Sequence, residues 1–183
     1  TVIAENGGWF FAQDLTSTLR FIKPGAVQIA EYWGDERWRA IASPPYGMGF
    51  DLGYSDTLRD NVRKAIGETT GGRQAAVNLD RVRDALYLTY RDQGRWSVFQ
   101  CLENHDLLDV NHGDRQPRIA ALADPSNSRS WYARSRAKVA AGMLLTAPGV
   151  PMIFMGQEFL EDKYWTDWTG RPELLIWWDG LEG

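Results

Sequence analysis

The sequence has few of the residues on which several common kinds of protein depend. It contains one cysteine, Cys101, which excludes an intramolecular disulfide, and no apolar run approaches the roughly 18 residues that a membrane span requires. Lys and Arg together number 20 and are outnumbered by 24 Asp and Glu. This net charge of −4 argues against nucleic acid or an anionic membrane surface as a partner, and we expect a cytoplasmic protein that binds neither.

Histidine and phosphate-binding glycine loops are also scarce. The absence of such loops argues against a nucleotide-binding sheet. There are two histidines, His105 and His112, whereas metal-dependent hydrolases usually recruit several His and carboxylate ligands. We therefore expect no metal and no other cofactor, and a metal-dependent barrel hydrolase that uses both histidines remains an alternative.

What the sequence does contain is typical of a globular chain that is rich in tryptophan. It has 183 residues, of which 44% are hydrophobic and 24% charged, enough for one core. Four of its nine tryptophans lie beside polar residues, where an indole face can stack on a sugar ring: Trp33, Trp38, Trp165 and Trp168. Core packing is the commoner use of tryptophan, and we expect it for three others: Trp131, Trp177 and Trp178.

The most informative stretch is 96–106, WSVFQCLENHD, in which an apolar run ends abruptly in four polar residues. The run predicts a strand buried on both faces, and polar groups at a strand exit indicate a ligand site in α/β sheets and barrels. The four polar residues are Glu103, Asn104, His105 and Asp106. In the alternative interpretation, Asn104 and Asp106 cap a turn and His105 is an ordinary surface histidine.

Four strands are predicted, at 26–30, 48–52, 96–102 and 150–155. Helices are expected between them: one capped by Asp14 with Leu15, Leu19 and Ile22 inward, one with Leu58, Val62 and Ile66 inward, one capped by Asn78 with Tyr90 among its apolar residues, and one over 131–145. The connection 106–130 is long enough to indicate a binding loop.

Strands that alternate with helices predict an α/β fold with parallel strands and right-handed crossovers. Both a doubly wound sheet and part of a (β/α)8 TIM barrel fit this pattern. A complete barrel has eight strands, so four strands correspond to about half of one.

Three motifs in order resemble the second half of the α-amylase family barrel, at strands five, seven and eight. They are AVQIAE ending in Glu31, the ENHD segment at 103–106, and PGVPMIFMGQE at 148–158. The stretches GMGFDLGYSDTLRDNVR and MGQEFLEDKYWTDW are most similar to those of 1,4-α-glucan branching enzymes. The resemblance spans nearly the whole chain and implies one partial barrel domain over 1–183.

The resemblance implies retaining cleavage of α-1,4-glucosidic bonds and transfer to form α-1,6 branches. By this likeness Glu31 is the general acid/base, Asp106 the carboxylate that stabilises the transition state, and His105 a ligand of the sugar beside the scissile bond. We expect Asn104, Trp33 and Tyr32 to bind substrate as well, with Tyr32 and Trp33 partly desolvating Glu31. An amylase-like hydrolase and a non-catalytic carbohydrate-binding half-barrel remain alternatives.

One part of the family pattern has no counterpart in this sequence. The family's nucleophile is an aspartate at the end of strand four, and the match begins just after that position; Asp14 is no substitute, because it is expected to cap a helix. We therefore expect the isolated chain to be inactive. The two outer strands would each lack a neighbour, so self-association through the exposed edges is also expected.

Overall fold

The computed structural model describes residues 7–34, 36–87 and 95–178. These residues form parallel strands alternating with helices. In chain order the elements are α1 (Gly8–Ile22), β1 (Ile29–Ala30), α2 (Trp38–Ile41), β2 (Leu52–Ser55), α3 (Thr57–Glu68), α4 (Asp80–Leu86), β3 (Val98–Cys101), α5 (His105–Leu108), α6 (Ile119–Ala123), α7 (Trp131–Thr146) and β4 (Val150–Met152). Short 3-10 turns cover Thr69–Gln74, Arg95–Ser97, Gln157–Phe159 and Pro172–Leu174.

The four strands lie side by side in the order β1-β2-β3-β4. β1 and β2 are parallel, with Ile29 opposite Leu52, and β2 and β3 are parallel, with Gly53 opposite Val98. Helical crossovers connect successive strands, as the right-handed β/α rule requires for parallel neighbours. The predicted α/β fold of parallel β/α units is confirmed, and it is consistent with about half of a (β/α)8 barrel.

The chain divides into two compact units. The first comprises Thr1–Ser55, Tyr87–Gln100 and Pro148–Val150, and the second Asp56–Leu86, Cys101–Ala147 and Pro151–Gly183. The core of the first unit contains Ala12, Ala30, Ala40 and Met48. The core of the second is larger and is formed mainly by α3, α4, α6 and α7, with Leu102 from the exit of β3 among its fully buried residues.

Helix α1 differs from its prediction in both its start and its buried face. It begins at Gly8, so Asp14 lies inside the helix and is not its cap, and the predicted core residues Leu15, Leu19 and Ile22 are exposed. The helix instead buries small residues, among them Thr16, whose hydroxyl donates to the carbonyl of Met48 at 2.7 Å. Because this contact requires close approach, the bulky residues lie on the opposite face.

Three of the four strands begin later than predicted, β1 at Ile29 rather than at 26, and β4 ends at Met152 rather than at 155. β2 covers Leu52–Ser55 rather than 48–52, because the chain first turns at Gly49, whose φ of 84° is in the left-handed region. β3 begins at Val98, and Trp96 lies in the preceding 3-10 turn with 74% of its surface exposed. Only Phe99 of β3 is half-buried, which confirms the predicted burial on both faces over Val98–Cys101, and all four residues of β2 are buried as well.

The helices of the second unit largely follow their predicted patterns. Leu58, Val62 and Ile66 are buried on α3, as its periodicity predicts. The N–H of Asp80 donates to the side-chain oxygen of Asn78 at 3.0 Å, which confirms the predicted start of α4. Tyr90, expected on the same helix, lies outside the described residues. The long connection after β3 is not a plain loop, because it contains α5 and α6.

The predicted burial of three tryptophans is wrong. Trp131 is 69% exposed, and Trp177 and Trp178 are also exposed. On α7 the physical reason is visible in the helix face: Ala133, Ala137, Ala140 and Leu144 occupy the buried side, so the large ring at position 131 lies outside. Of the helices among the described residues, none combines the length and the apolar character needed to cross a bilayer.

Candidate functional site

The exit of β3 begins with a buried ion pair. Glu103 follows the fully buried Leu102, and its carboxylate accepts a hydrogen bond from the Arg118 guanidinium at 3.0 Å and another from the N–H of Ile119 at 2.6 Å. Both side chains of the ion pair are 2% exposed. The first polar residue of the predicted motif is therefore structural, because its charge is fully satisfied inside the second unit.

Arg118 connects this exit to two other segments. Its Nη1 also donates to the carbonyl of Met155, just beyond β4, and its Nε donates to the carbonyl of Lys163, both at 2.9 Å. Three chain segments thus meet on one planar cation with fixed donor directions. Sequence patterning did not identify Arg118, since charged residues are rarely fully buried and no periodic signal marks the exceptions.

A second buried arginine lies behind the same segment. The Arg63 side chain donates to the carbonyls of Leu102 and Pro117, so it stabilises the backbone on both sides of the Glu103–Arg118 pair. Burial lowers the pKa of Arg63 to about 10, against an opposing effect of the nearby Glu103 carboxylate. The guanidinium therefore remains charged at neutral pH.

Asn104 is the N-cap of α5. Its side-chain oxygen accepts the N–H of Leu107 at 3.0 Å, and the residue is buried. The turn-capping alternative is therefore confirmed for Asn104, and its expected contact with substrate stays a prediction. Asp106 is not a cap: it lies in the first turn of α5 with its carboxylate half exposed.

His105 and Asp106 form the exposed part of this exit. His105 Nε2 lies 3.2 Å from Asp106 Oδ1, and the two side chains are 56% and 51% exposed. The imidazole contacts the edge of Trp165 at a centroid distance of 5.8 Å, and Trp165 contacts Phe154 at 6.0 Å. The Arg118 guanidinium lies 5.4 Å from the ring centroid of Phe154. Packing contacts through Phe154 and Trp165 therefore connect the buried Arg118 to the exposed His105.

Backbone hydrogen bonds fix the position of Trp165. Its N–H donates to the carbonyl of Leu108 at 3.0 Å, and its own carbonyl accepts the N–H of Val110 at the same distance. Glu161, which is buried, accepts the N–H groups of Asp162 and Lys163 and so fixes the start of this segment. Trp165 was predicted to lie in a sugar-binding position, whereas the contribution of Glu161 was not predicted.

The exit of β1 has a different structure. Glu31 follows the strand directly, as predicted, but it is exposed rather than partly desolvated, and its carboxylate accepts the indole N–H of Trp33 at 3.2 Å. Trp33 contacts Tyr54 edge to face at 5.2 Å. Tyr32 instead packs against the core of the first unit, where its hydroxyl lies so near Gly34 that a Cβ added at that position would clash with it.

The predicted site residues thus fall into two groups. The second unit brings together Asn104, His105 and Asp106, and the first unit brings together Glu31 and Trp33. His112 Nδ1 lies 2.9 Å from the backbone carbonyl oxygen of Asp106, to which it donates in the tautomer that carries the proton on Nδ1, so His112 is adjacent to the second group. Within the described ranges, no three His, Cys, Asp or Glu side chains cluster closely enough to hold a metal ion.

The fold and these residues define an α/β protein whose polar groups lie at the carboxyl ends of parallel strands. No family model matches the chain. It is 23% identical to the 1,4-α-glucan branching enzyme GlgB of Corynebacterium glutamicum over 180 residues, which are 94% of this chain and 22% of that protein. It is 29% identical to the pullulanase of Bacillus subtilis over 166 residues, 77% of this chain and 21% of the pullulanase.

A third relative is the malto-oligosyltrehalose trehalohydrolase of Arthrobacter ramosus, 28% identical over 139 residues, with 70% of this chain and 24% of that protein covered. The chain therefore spans about a fifth of the length of the curated relatives it matches. These relatives confirm the resemblance to the α-amylase family, with branching enzymes among the proteins to which the chain is similar at low identity.

Proposed function

We propose that this chain is part of an α-glucan-active enzyme that cleaves α-1,4-glucosidic bonds with retention and transfers the cleaved segment to form α-1,6 branches. The observation that carries the proposal is the exposed His105–Asp106 pair beside Trp165, at the exit of β3. The branching enzymes among the relatives support the substrate class and the transfer reaction.

In this proposal Asp106 stabilises the oxocarbenium-like transition state. Its carboxylate is half exposed, and neighbouring His105 Nε2 orients one oxygen at 3.2 Å. A fixed negative charge is worth most where positive charge develops during the reaction, so Asp106 contributes to the rate more than to binding. The buried Glu103–Arg118 pair keeps α5, and with it this carboxylate, in place.

His105 and Trp165 bind the sugar beside the scissile bond. The imidazole presents a ring nitrogen to a sugar hydroxyl while it packs against Trp165 in a T-shaped contact. The indole is held by backbone bonds on both sides, so little conformational entropy is lost when a pyranose ring packs on it. Asn104, the N-cap of α5 next to His105, is proposed as a further substrate ligand of this group.

Glu31 is proposed as the general acid/base. A carboxylic acid with this role must reach solvent and substrate, and Glu31 is exposed at the end of β1. The indole N–H of Trp33 fixes one carboxylate oxygen. Trp33 and Tyr32 are proposed to line the substrate path beside it.

Retaining cleavage also requires a carboxylate nucleophile. None of the motifs matched in this sequence supplies one, so the proposal takes that aspartate from a strand-four segment outside this sequence. For the same reason we propose that the 183 residues form one partial barrel domain that does not turn over glucan alone. We also propose that in the isolated 183-residue chain β1 and β4, the outer strands of the described sheet, pair with those of a second copy.

Hydrolysis is the second candidate activity, because one relative is a trehalohydrolase by name. The test is to incubate the full-length natural protein with linear amylose and to quantify new α-1,6 linkages and new reducing ends separately by proton NMR. Branching predicts α-1,6 signals that accumulate with little gain in reducing ends. A rise in reducing ends alone would establish hydrolysis, and no change in amylose would support the non-catalytic binding module.

A further inference from the structure

The second unit contains a cavity whose lining includes no residue from the exit of β3. It has a volume of about 650 Å³ and lies between the 3-10 turn Thr69–Gln74 and the start of α7. This volume is in the range of small-ligand sites, roughly 300–1,000 Å³. Its polar and aromatic walls include Thr70, Arg73, Asp124, Ser126, Tyr132 and Arg136. The proposed reaction uses none of them.

One wall of this cavity is aromatic. Tyr132 is exposed, with the Arg136 guanidinium 5.4 Å from its ring centroid. The equally exposed Trp131 contacts the Tyr132 ring edge to face at 5.3 Å and extends the aromatic surface. Rings of this kind offer an apolar face with a polar edge, which suits the C–H face of a pyranose.

The lining of the cavity also includes a hydrogen-bond acceptor, the Asp124 carboxylate. Asp124 Oδ1 accepts from the Ser126 hydroxyl at 2.6 Å, and Oδ2 accepts from the Ser130 hydroxyl at 2.7 Å. These two hydroxyl bonds lower the pKa of Asp124 to about 2, so the carboxylate is ionised at neutral pH. A carboxylate offers about four acceptor positions, which leaves Oδ2 able to accept a further donor.

The cavity also contains hydrogen-bond donors. Arg136 is held rigidly because it donates to the carbonyl of Ala123 at 2.6 Å and to that of Thr69 at 2.9 Å. Arg73, which also lines the cavity, is exposed and forms no ion pair with any residue that the structure describes. Arginine carries five N–H donors, so both residues retain donors for a ligand.

This combination favours a neutral polyol over a phosphate. An anion would be attracted to the two arginines but repelled by the ionised Asp124 in the same cavity. Vicinal sugar hydroxyls both donate and accept, so they match an acceptor and donors placed around one aromatic face. We infer that this cavity is a second binding site for an α-linked gluco-oligosaccharide, separate from the exit of β3. The choice of glucan among sugars rests on the proposed function.

Hydrogen exchange with mass spectrometry tests this site in the full-length natural protein, with maltoheptaose as the probe. We expect added sugar to slow exchange in peptides covering 69–74 and 124–136. The sugar concentration needed for half of this protection should rise about tenfold in Tyr132→Ala and in Arg73→Ala, because each removes one wall of the cavity. Arg134→Ala is the matched control: it removes an exposed arginine of the same helix that does not line the cavity, and we expect no shift.

The exit of β3 is monitored in the same experiment through the peptide covering 103–108. Protection there without protection at 124–136 would overturn the second site and leave the proposed function intact. Protection at 124–136 that survives His105→Ala would support the second site, and if 103–108 were never protected it would count against the proposed function alone. Protection of 124–136 by inorganic phosphate but not by maltoheptaose would also overturn the inference.

Discussion

The exits of β1 and β3 carry similar chemical groups but differ in how the protein holds them. Glu31 is exposed after β1 and is held by one indole N–H, from Trp33. Asp106 is half exposed after β3 but stands next to a buried ion pair between Glu103 and Arg118. The comparison teaches that a substitution at the first exit should change chemistry alone, whereas the second exit combines chemistry with folding stability.

The largest expected effect is on turnover, at the β1 exit. In the full-length natural protein, Glu31→Gln keeps the shape and the contact with Trp33 but cannot supply a proton, so activity on α-1,4-glucan should fall about 10²–10⁴-fold. Initial rates on amylose measure this, and thermal unfolding should show an unchanged midpoint. Glu36→Gln is the control, because Glu36 is also exposed and makes a surface ion pair with Arg39. A loss below tenfold would remove Glu31 from the acid role.

The next effect is on stability, at the β3 exit. Arg118→Met removes one partner of the buried pair and leaves the Glu103 carboxylate uncompensated, which should cost about 3–5 kcal/mol of unfolding free energy. Arg20→Met breaks the exposed pair with Asp51 and should cost about 0.2–1 kcal/mol. Urea unfolding of both variants measures the difference. Equal costs would contradict the contribution to folding stability assigned to the buried pair at the β3 exit.

A smaller effect separates binding from chemistry within the β3 exit. His105→Ala removes a proposed sugar ligand and its contact with Trp165, so KM for glucan should rise about tenfold with a smaller change in kcat. His112→Ala is the control, because its ring contacts only the backbone carbonyl of Asp106 among the hydrogen bonds described. A fall in kcat with an unchanged KM would assign His105 to the chemical step instead.

The smallest expected effect is on self-association, and it concerns the 183-residue chain by itself. β1 and β4 are the edge strands of the sheet formed by the described residues, and their outer edges should make the chain a dimer or larger species in analytical ultracentrifugation. Ile29→Lys places a charge on the exposed edge of β1 and should shift the chain towards monomer, whereas Val139→Lys on the exposed face of α7 should not. A wild-type monomer would contradict this expectation.

The sequence predicted the fold class because in most helices and strands the spacing of apolar residues matches the type of element that forms. On α3 the apolar spacing correctly identified Leu58, Val62 and Ile66 as core residues. On α1 the same reasoning failed, because close packing selected Ala12 and Thr16 and placed the large apolar residues on the other face. Periodicity shows the spacing at which large apolar residues recur along a helix, but it does not show which face of the helix a neighbouring segment approaches closely.

The candidate site was predictable where polarity changes abruptly at a strand end. This signal correctly identified Glu31, His105 and Asp106 as strand-exit residues. It could not identify Arg118 or Glu161, whose burial depends on partners far away in the sequence, 15 residues for the Arg118–Glu103 bond and 16 for the bond from Trp177 to Glu161. Charged side chains are ordinarily exposed, and only the folded structure shows which are paired inside.

The most direct test of the proposed function is the steady-state kinetics of Asp106→Asn in the full-length natural protein, with Asp114→Asn as a matched exposed control. Asparagine keeps the size of the side chain but removes the charge next to His105, and we predict that kcat on amylose falls at least about a hundredfold while KM changes less than about threefold. The control should match the wild type in both parameters. Wild-type kinetics for Asp106→Asn would show that this carboxylate does not stabilise the transition state, and the central role proposed for the β3 exit would be wrong.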